Sequence, residues 1–425
     1  MEEIAFIRQS SLRIEVRFYD DEQRRRLASY PTTNKLEEIV RNGVTVPTAE
    51  FLTYYLFHKK RPGKLGYRGY VELGRKMARA LNELEEWGLF VDGTLRSSPD
   101  AVPQDRVITE RVGEAAALCL VNDIHHLHEA DWDKIPEHPG KNGFATFDYQ
   151  YPMSGVEVSA SDGERIIQVE AKGTAVRETS ELTASVRTHK ANIDGKKHRI
   201  WERERKGLYP YPAAIRYGII TSLGVSGPLR CWLLDPPIDG EAGPRRMRLL
   251  TRLRFLFDLL SFLMGRSQLA ASIATRLAAL HALDDPFVLD GIPLLRGNGE
   301  PFEVRPFDSF RNRQGFFANM THVVDAPVGG VLMKLDEGHF FFLGIRESLV
   351  IMAVKQMFER MLEYDEACSS ESKELHCVVS RSRARRMEIE GLDTESRSDS
   401  AHIRFFAKGQ LHYSRGGIVF GVVRP

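Results

Sequence analysis

Residues 143–174 read GFATFDYQYPMSGVEVSASDGERIIQVEAKGT. The stretch predicts three short strands joined by turns, with Asp148 on the first and Glu170-Ala171-Lys172 near the end of the third. Alternation along a strand sends successive side chains to opposite faces. Gln168, Glu170 and Lys172 therefore share one face, and Ile167, Val169 and Ala171 share the other. Such a strand carries an acid and a lysine into a cleft or into water while its apolar side meets a core. The chemistry this spacing predicts is a divalent-metal site. Asp148 and Glu170 supply hard carboxylate oxygens, and Lys172 stands beside an attacking water or a phosphate oxygen.

The flanking segments alternate in type. Before the stretch, ITERVGEAAALCLVNDIHHL (residues 108–127) has the apolar spacing of an amphipathic helix. Its small residues Gly113, Ala115, Ala116 and Ala117 allow close approach to a sheet. Glu110 and Glu114 lie one turn apart on it, either one able to complete or orient a metal shell. His125, His126 and His128 follow without an HExxH pattern and read as a polar helix end. After the stretch, residues 181–207 are polar and basic, with a helix over at least the second half. Arg187, His189, Lys190, Lys196, Lys197, His198 and Arg199 gather positive charge there. Two apolar runs, AIRYGIITSLG and LRCWLLDPP, then read as strands, the second ending at Pro236-Pro237. The order helix, three strands, helix, two strands predicts an α/β fold (α+β over the whole chain). Its centre is a mixed β-sheet flanked by helices on both faces.

Acid–acid–lysine is the set that metal-dependent phosphodiester hydrolysis requires. Two carboxylates hold Mg²⁺ or Mn²⁺, which lowers the pKa of bound water and neutralises charge on the phosphate. The lysine is a fixed charge aimed at the transition state. In Asp148 followed by Glu170-x-Lys172 after a strand-length interval, the chain resembles the PD-(D/E)xK nuclease superfamily, the restriction-endonuclease-like fold. In that family a helix bearing a glutamate precedes the sheet and a basic helix follows it. The resemblance covers residues 106–237 and implies Glu114 as the helix glutamate, Asp148 and Glu170 as metal ligands, and Lys172 as the catalytic lysine. It departs at Phe147, where the family pattern has proline. Gln168, on the face of Glu170, and Lys196, Lys197 and Arg199 are expected to contact nucleic acid.

The remainder of the chain sets the frame. At 425 residues it exceeds one ordinary core. Three domains are expected: an N-terminal α/β accessory domain over 1–105, a nuclease domain over 106–240, and a helical pair with an α+β region over 241–425. A net charge of +1 gives no global signal for nucleic acid, so a basic footprint must be local. Two local candidates are KKRPGKLGYRGY (residues 59–70), whose cations and tyrosines suit a phosphate backbone and a base, and Arg381, Arg383, Arg385 and Arg386. Residues 245–265 and 267–283 read as two packed helices, residues 347–367 as one helix, and the tail as polar loop with short strands. Cys119, Cys231, Cys368 and Cys377 form no CxxC pair and read as free thiols. The acidic start MEEIAFIRQS is no secretory signal, and the run from Leu253 to Met264 is too short for a bilayer.

The reading is a cytoplasmic, Mg²⁺-dependent endodeoxyribonuclease. Its expected substrate is double-stranded DNA, in a restriction, anti-phage, mobility or repair setting, with a homodimer or a partner protein as its assembly. The alternative is a non-catalytic nucleic-acid-binding or scaffolding protein that retains a nuclease-like sheet and binds through residues 187–206 and 381–386.

Overall fold

The computed structural model of the protein describes residues 9–27, 33–57, 69–100, 106–140, 143–151, 166–213, 215–234, 245–264, 267–302, 321–323, 326–336, 338–380 and 402–424. The middle strand of the opening stretch, the SDGE turn at 161–164, most of the basic segment 59–70 and the arginines at 381–386 lie outside them. In chain order come β1 (Ser11–Phe18), α1 (Asp21–Leu27), α2 (Thr33–Asn42), β2 (Val44–Pro47), α3 (Thr48–Phe57) and α4 (Tyr70–Trp87). Next are β3 (Gly88–Val91), β4 (Thr94–Ser97), α5 (Arg106–His125), β5 (Asp133–Lys134), β6 (Tyr149–Tyr151), β7 (Ile167–Glu178), α6 (Ala184–Arg205), β8 (Ile215–Ser226) and β9 (Arg230–Leu234). The rest comprises α7 (Arg245–Met264), α8 (Gln268–His281), β10 (Thr321–Val323), β11 (Val328–Asp336), β12 (His339–Arg346), α9 (Glu347–Val354), α10 (Phe358–Glu363), β13 (Ser369–Ser380), β14 (His402–Tyr413) and β15 (Ile418–Arg424). They fall into two compact units, Met1–His58 with Glu83–Thr251 and Lys59–Asn82 with Arg252–Pro425.

The first unit is built on a seven-stranded mixed sheet in the order β2-β1-β9-β8-β7-β6-β5. The pairs β7–β8 and β1–β9 are parallel, and the other neighbours are antiparallel. A parallel pair needs a crossover connection, and α6 supplies it between β7 and β8. It covers one face of the sheet with Val186, Ile193 and Ile200, which are buried at a seven-residue spacing. Ile193 packs with Ile220, Trp232 and Leu234, and Ile200 with Ile135, Phe147 and Tyr209.

The opposite face is covered by α5. Here the backbones touch: a Cβ on Gly113 would stand 2.6 Å from the Gly173 nitrogen, and one on Gly173 only 1.7 Å from the Thr109 carbonyl oxygen. The small residues of α5 thus bring the helix onto β7, as its composition predicts. The helix is buried on both sides rather than amphipathic, because α3 packs against its outer surface. Asn122 of α5 donates to Glu50 Oε1 (2.6 Å) and the Tyr54 hydroxyl (2.9 Å) of α3. A helix enclosed on both sides carries apolar residues all round.

The N-terminal segment is not a separate accessory domain. β1 forms parallel pairs with β9 from Glu15–Arg230 to Phe18–Leu233, and Arg230 Nη2 meets Glu15 Oε2 at 2.6 Å across a separation of 215 residues. The boundary expected at residue 105 therefore falls inside the first unit.

The second unit holds a closed six-stranded barrel, β10-β11-β12-β15-β14-β13, filled by residues such as Phe340, Phe342, Phe405, Leu411 and Val419. Its β13 and β14 are twelve residues each, longer than the short strands expected of the tail. The single helix expected over 347–367 is two helices, α9 and α10. Gln356 between them takes φ 53°, a left-handed conformation that stops a helix. Arg252 of α7 closes the end of α10 by donating to the carbonyls of Met361, Leu362 and Tyr364 at 2.7–3.0 Å, acceptors that a helix leaves open.

His412, on β14 between two core residues, is buried and hydrogen-bonded through Nδ1 to Ser370 Oγ at 2.8 Å. Burial pushes its imidazole down to about 3. The folded protein keeps it neutral where the unfolded chain protonates near pH 6.5, so the contribution is full above that pH and fades below it. Between pH 6.5 and 5 the loss is about 2 kcal/mol at 1.36 kcal/mol per pH unit. Denaturant titrations at both pH values should show this difference in wild type, and His412→Gln should remove it. An equal pH response in the two proteins would place the sensitivity elsewhere.

Candidate active site

The site lies where the residue before β6 meets β7. Tyr149 pairs with Val169 and Gln150 with Gln168, while the Asp148 amide donates to the Val169 carbonyl at 3.1 Å. This register sets Asp148 beside Glu170. Asp148 Oδ2 accepts the Ala171 amide at 3.0 Å, a bond that fixes its carboxylate against β7. Glu170 is fully buried (0% exposed). Lys172 Nζ stands 2.5 Å from Glu170 Oε1 and 3.8 Å from Asp148 Oδ2. Lys196 of α6 donates to Glu170 Oε2 at 2.6 Å. One buried carboxylate is thus clasped by two ammonium groups, one from its own strand and one from the crossover helix.

The electrostatics follow from this geometry. Burial, then the charge of Asp148, raises the Glu170 carboxyl above the usual range, against the pull of Lys172 and Lys196. Burial also disfavours the Lys172 ammonium, but Asp148 and Glu170 reverse that and hold it above an ordinary lysine. Asp148, Lys172 and Lys196 keep 22%, 27% and 21% of their side chains exposed, so the cluster opens to solvent on one side.

Glu114 is the inward glutamate of α5. It is buried, and the Tyr149 hydroxyl donates to its Oε2 at 2.8 Å. Its charge adds to those that raise Lys172. Glu110 instead meets Arg106 Nε at 2.8 Å on the helix surface, so the ambiguity between the two resolves by direction. Tyr149 and Val169 face α5 whereas Asp148 and Glu170 face α6, which puts Glu114 on the far side of the sheet from the two-lysine clasp.

Gln168 does not face solvent. It is fully buried and donates to Gln150 Oε1 (2.9 Å) and the Tyr211 carbonyl (3.0 Å), while accepting from Arg216 Nε (3.3 Å). Its amide is consumed within the protein, which corrects the expectation of a substrate contact. α6 and residues 209–211 close over this part of the strand. Of the three cations expected to contact nucleic acid, Lys196 is held by Glu170, Lys197 is half-buried, and Arg199 is exposed.

Two features escaped the sequence reading. His189, Lys196 and Arg203 repeat every seven residues, three positions on from buried Val186, Ile193 and Ile200, and form a second stripe along α6. The half-buried imidazole of His189 is held below its usual range by burial and then by the charges of Lys172 and Arg106. Arg203 lies over the Phe144 ring at 4.6 Å. The seven-residue spacing was the available signal. Aromatic residues form the second feature: Phe144 stacks on His138 (4.2 Å, 14°), whose Nε2 is 2.9 Å from the Tyr211 hydroxyl.

Lys196→Met should lower stability by about 2 kcal/mol, below the usual cost of breaking a buried pair because Lys196 is partly exposed and Lys172 remains. Thermal melting checks this. A lysine held in reserve for a phosphate would leave the melting temperature unchanged.

No family model, no curated protein and no solved structure matches the chain. Among the described residues, no helix is long and apolar enough to cross a membrane.

Proposed function

We propose that the protein is a divalent-metal-dependent nuclease acting on DNA. The observation that carries this reading is the convergence of Asp148, fully buried Glu170 and Lys172 at one solvent-facing point, within 2.5–3.8 Å of the shared ammonium. The donor set fits Mg²⁺ or Mn²⁺, since both carboxylates are hard oxygen donors. Among the described residues no group of three or more His, Cys, Asp or Glu side chains is clustered for a metal. Mg²⁺ suits such a site, because it is bound by one or two carboxylates and keeps several waters.

A bound divalent cation would supply Lewis acidity toward a phosphate oxygen and acidify a water. The chain's own groups do the rest. Asp148 and Glu170 would hold the cation, with Asp148 fixed by the Ala171 amide. Lys172, held ionised by its two carboxylates, presents a fixed positive charge to the phosphodiester as negative charge builds on it. Two carboxylates and two ammonium groups cancel in the free site, so loading a divalent cation leaves an excess of positive charge for the polyanionic substrate. Glu114, held by Tyr149 across the sheet, acts through the position of β6 and the field on Lys172.

A second reading has its own observation. The double lysine clasp neutralises Glu170 without any metal, as in a non-catalytic nucleic-acid-binding protein that retains the sheet. Incubation with supercoiled plasmid, linear duplex, single-stranded DNA and RNA, in Mg²⁺, Mn²⁺ or EDTA, separates the two. The nuclease reading expects cleavage that EDTA and Asp148→Asn both abolish. Binding without cleavage under every metal condition would favour the second.

A further inference from the structure

The outward side of α6 carries a tryptophan for which the catalytic site has no use. Trp201 is 50% exposed, whereas Trp87, Trp132 and Trp232 are 2%, 3% and 6% exposed. Its ring is flanked by His198, stacked at 6.0 Å and 27° one turn before it, and by the Arg205 guanidinium, 4.8 Å from its centroid one turn after. Glu202 lies beside it, 3.4 Å from His198 Nε2. The helix itself is the local basic footprint that the whole-chain charge lacks. Over Ala184–Arg205 it has seven lysines and arginines against three acids, in a chain of net charge +1. Two of those cations, Lys196 and Arg203, turn toward the site and its aromatic wall, and Arg199 and Arg205 remain on the exposed surface.

A cationic helix bearing an exposed indole has the two components that hold an unpaired nucleic-acid strand, electrostatic tracking of phosphates and a ring on which a base stacks. Duplex bases already have both faces stacked, so an indole on a helix surface finds a partner only in an unpaired base. Trp201 lies one turn beyond Lys197 on nearly the same side of the helix, and about 140° around it from the inward Lys196. From this geometry we propose that the Trp201 surface of α6 binds an unpaired stretch of DNA or RNA by base stacking. This binding does not depend on the nuclease reading.

Trp87, Trp132 and Trp232 are buried and fluoresce as well, so the Trp201 signal is the quenching that Trp201→Ala lacks. Full-length protein carrying Asp148→Asn, in EDTA, is titrated with dT and rU oligonucleotides and with a duplex of equal length. Fluorescence and the anisotropy of labelled strands are both followed. The expected result is quenching by single strands that weakens with added salt, with dT and rU together showing which sugar is accepted. Trp201→Ala should weaken strand binding at least about five-fold, the low end of one base–aromatic stack. Unchanged affinity in Trp201→Ala, or equal quenching by duplex, overturns the proposal. Cleavage by wild type with unaltered binding in Trp201→Ala would sink this surface alone. Stacking that persists in a protein that never cleaves would sink the nuclease reading and leave the surface in place.

Discussion

Lys172→Met should slow cleavage by about 10²–10³-fold, the effect of removing one pre-placed charge from a transition state. It should not unfold the protein, because Glu170 retains Lys196 at 2.6 Å. A further consequence distinguishes this lysine from a structural one. Its ammonium occupies Glu170 Oε1 at 2.5 Å and lies 3.8 Å from Asp148, where a cation would compete with it. Removing it should therefore tighten Mn²⁺ binding while turnover collapses. Parallel rate measurements and metal titrations check the pair of effects. Metal affinity and rate falling together would mean that Lys172 only props up the carboxylates.

Gly173→Val should give little or no folded protein. A Cβ at that position would lie 1.7 Å from the Thr109 carbonyl oxygen, and Gly113 meets the same strand from the helix side. The obstacle is backbone on both sides, so no rotamer change relieves it and α5 must lift from β7. That movement would open the main core of the first unit and carry Glu114 away from Tyr149. A loss above about 4 kcal/mol, the range of severe core disruption, is expected. Gly195→Ala is the contrasting control: its Cβ meets nothing within 4 Å in the middle of α6, and it should stabilise the helix by up to about 1 kcal/mol. Soluble expression and circular dichroism melting of the two variants test this contrast. A well-folded Gly173→Val protein would contradict the close helix–strand contact.

The parts legible in the sequence were those written in local spacing. The two-residue period of β7 placed Glu170 and Lys172 on one face, and the small residues of α5 announced its approach to the sheet. The strand–helix–strand order announced a mixed sheet with both faces covered. What stayed hidden depends on distant partners. Nothing near residues 11–18 records that β1 pairs with β9, more than two hundred residues on. The six strands of the barrel likewise read as unrelated runs until they close on one another. Gln168 shares its face with Glu170, yet burial of that face is decided by α6 and by Tyr211 from another part of the chain. Lys196 was visible as a cation, but its bond to Glu170 depends on how α6 lies across β7.

The proposed divalent-cation site is made by Asp148 and Glu170, held among two lysines. Calorimetric titration of the full chain with Mn²⁺, beside Asp148→Asn and Glu170→Gln, tests it without relying on any substrate. Saturable binding by wild type that either substitution abolishes is the predicted result. Absence of binding in wild type, or equal binding by all three proteins, would contradict it.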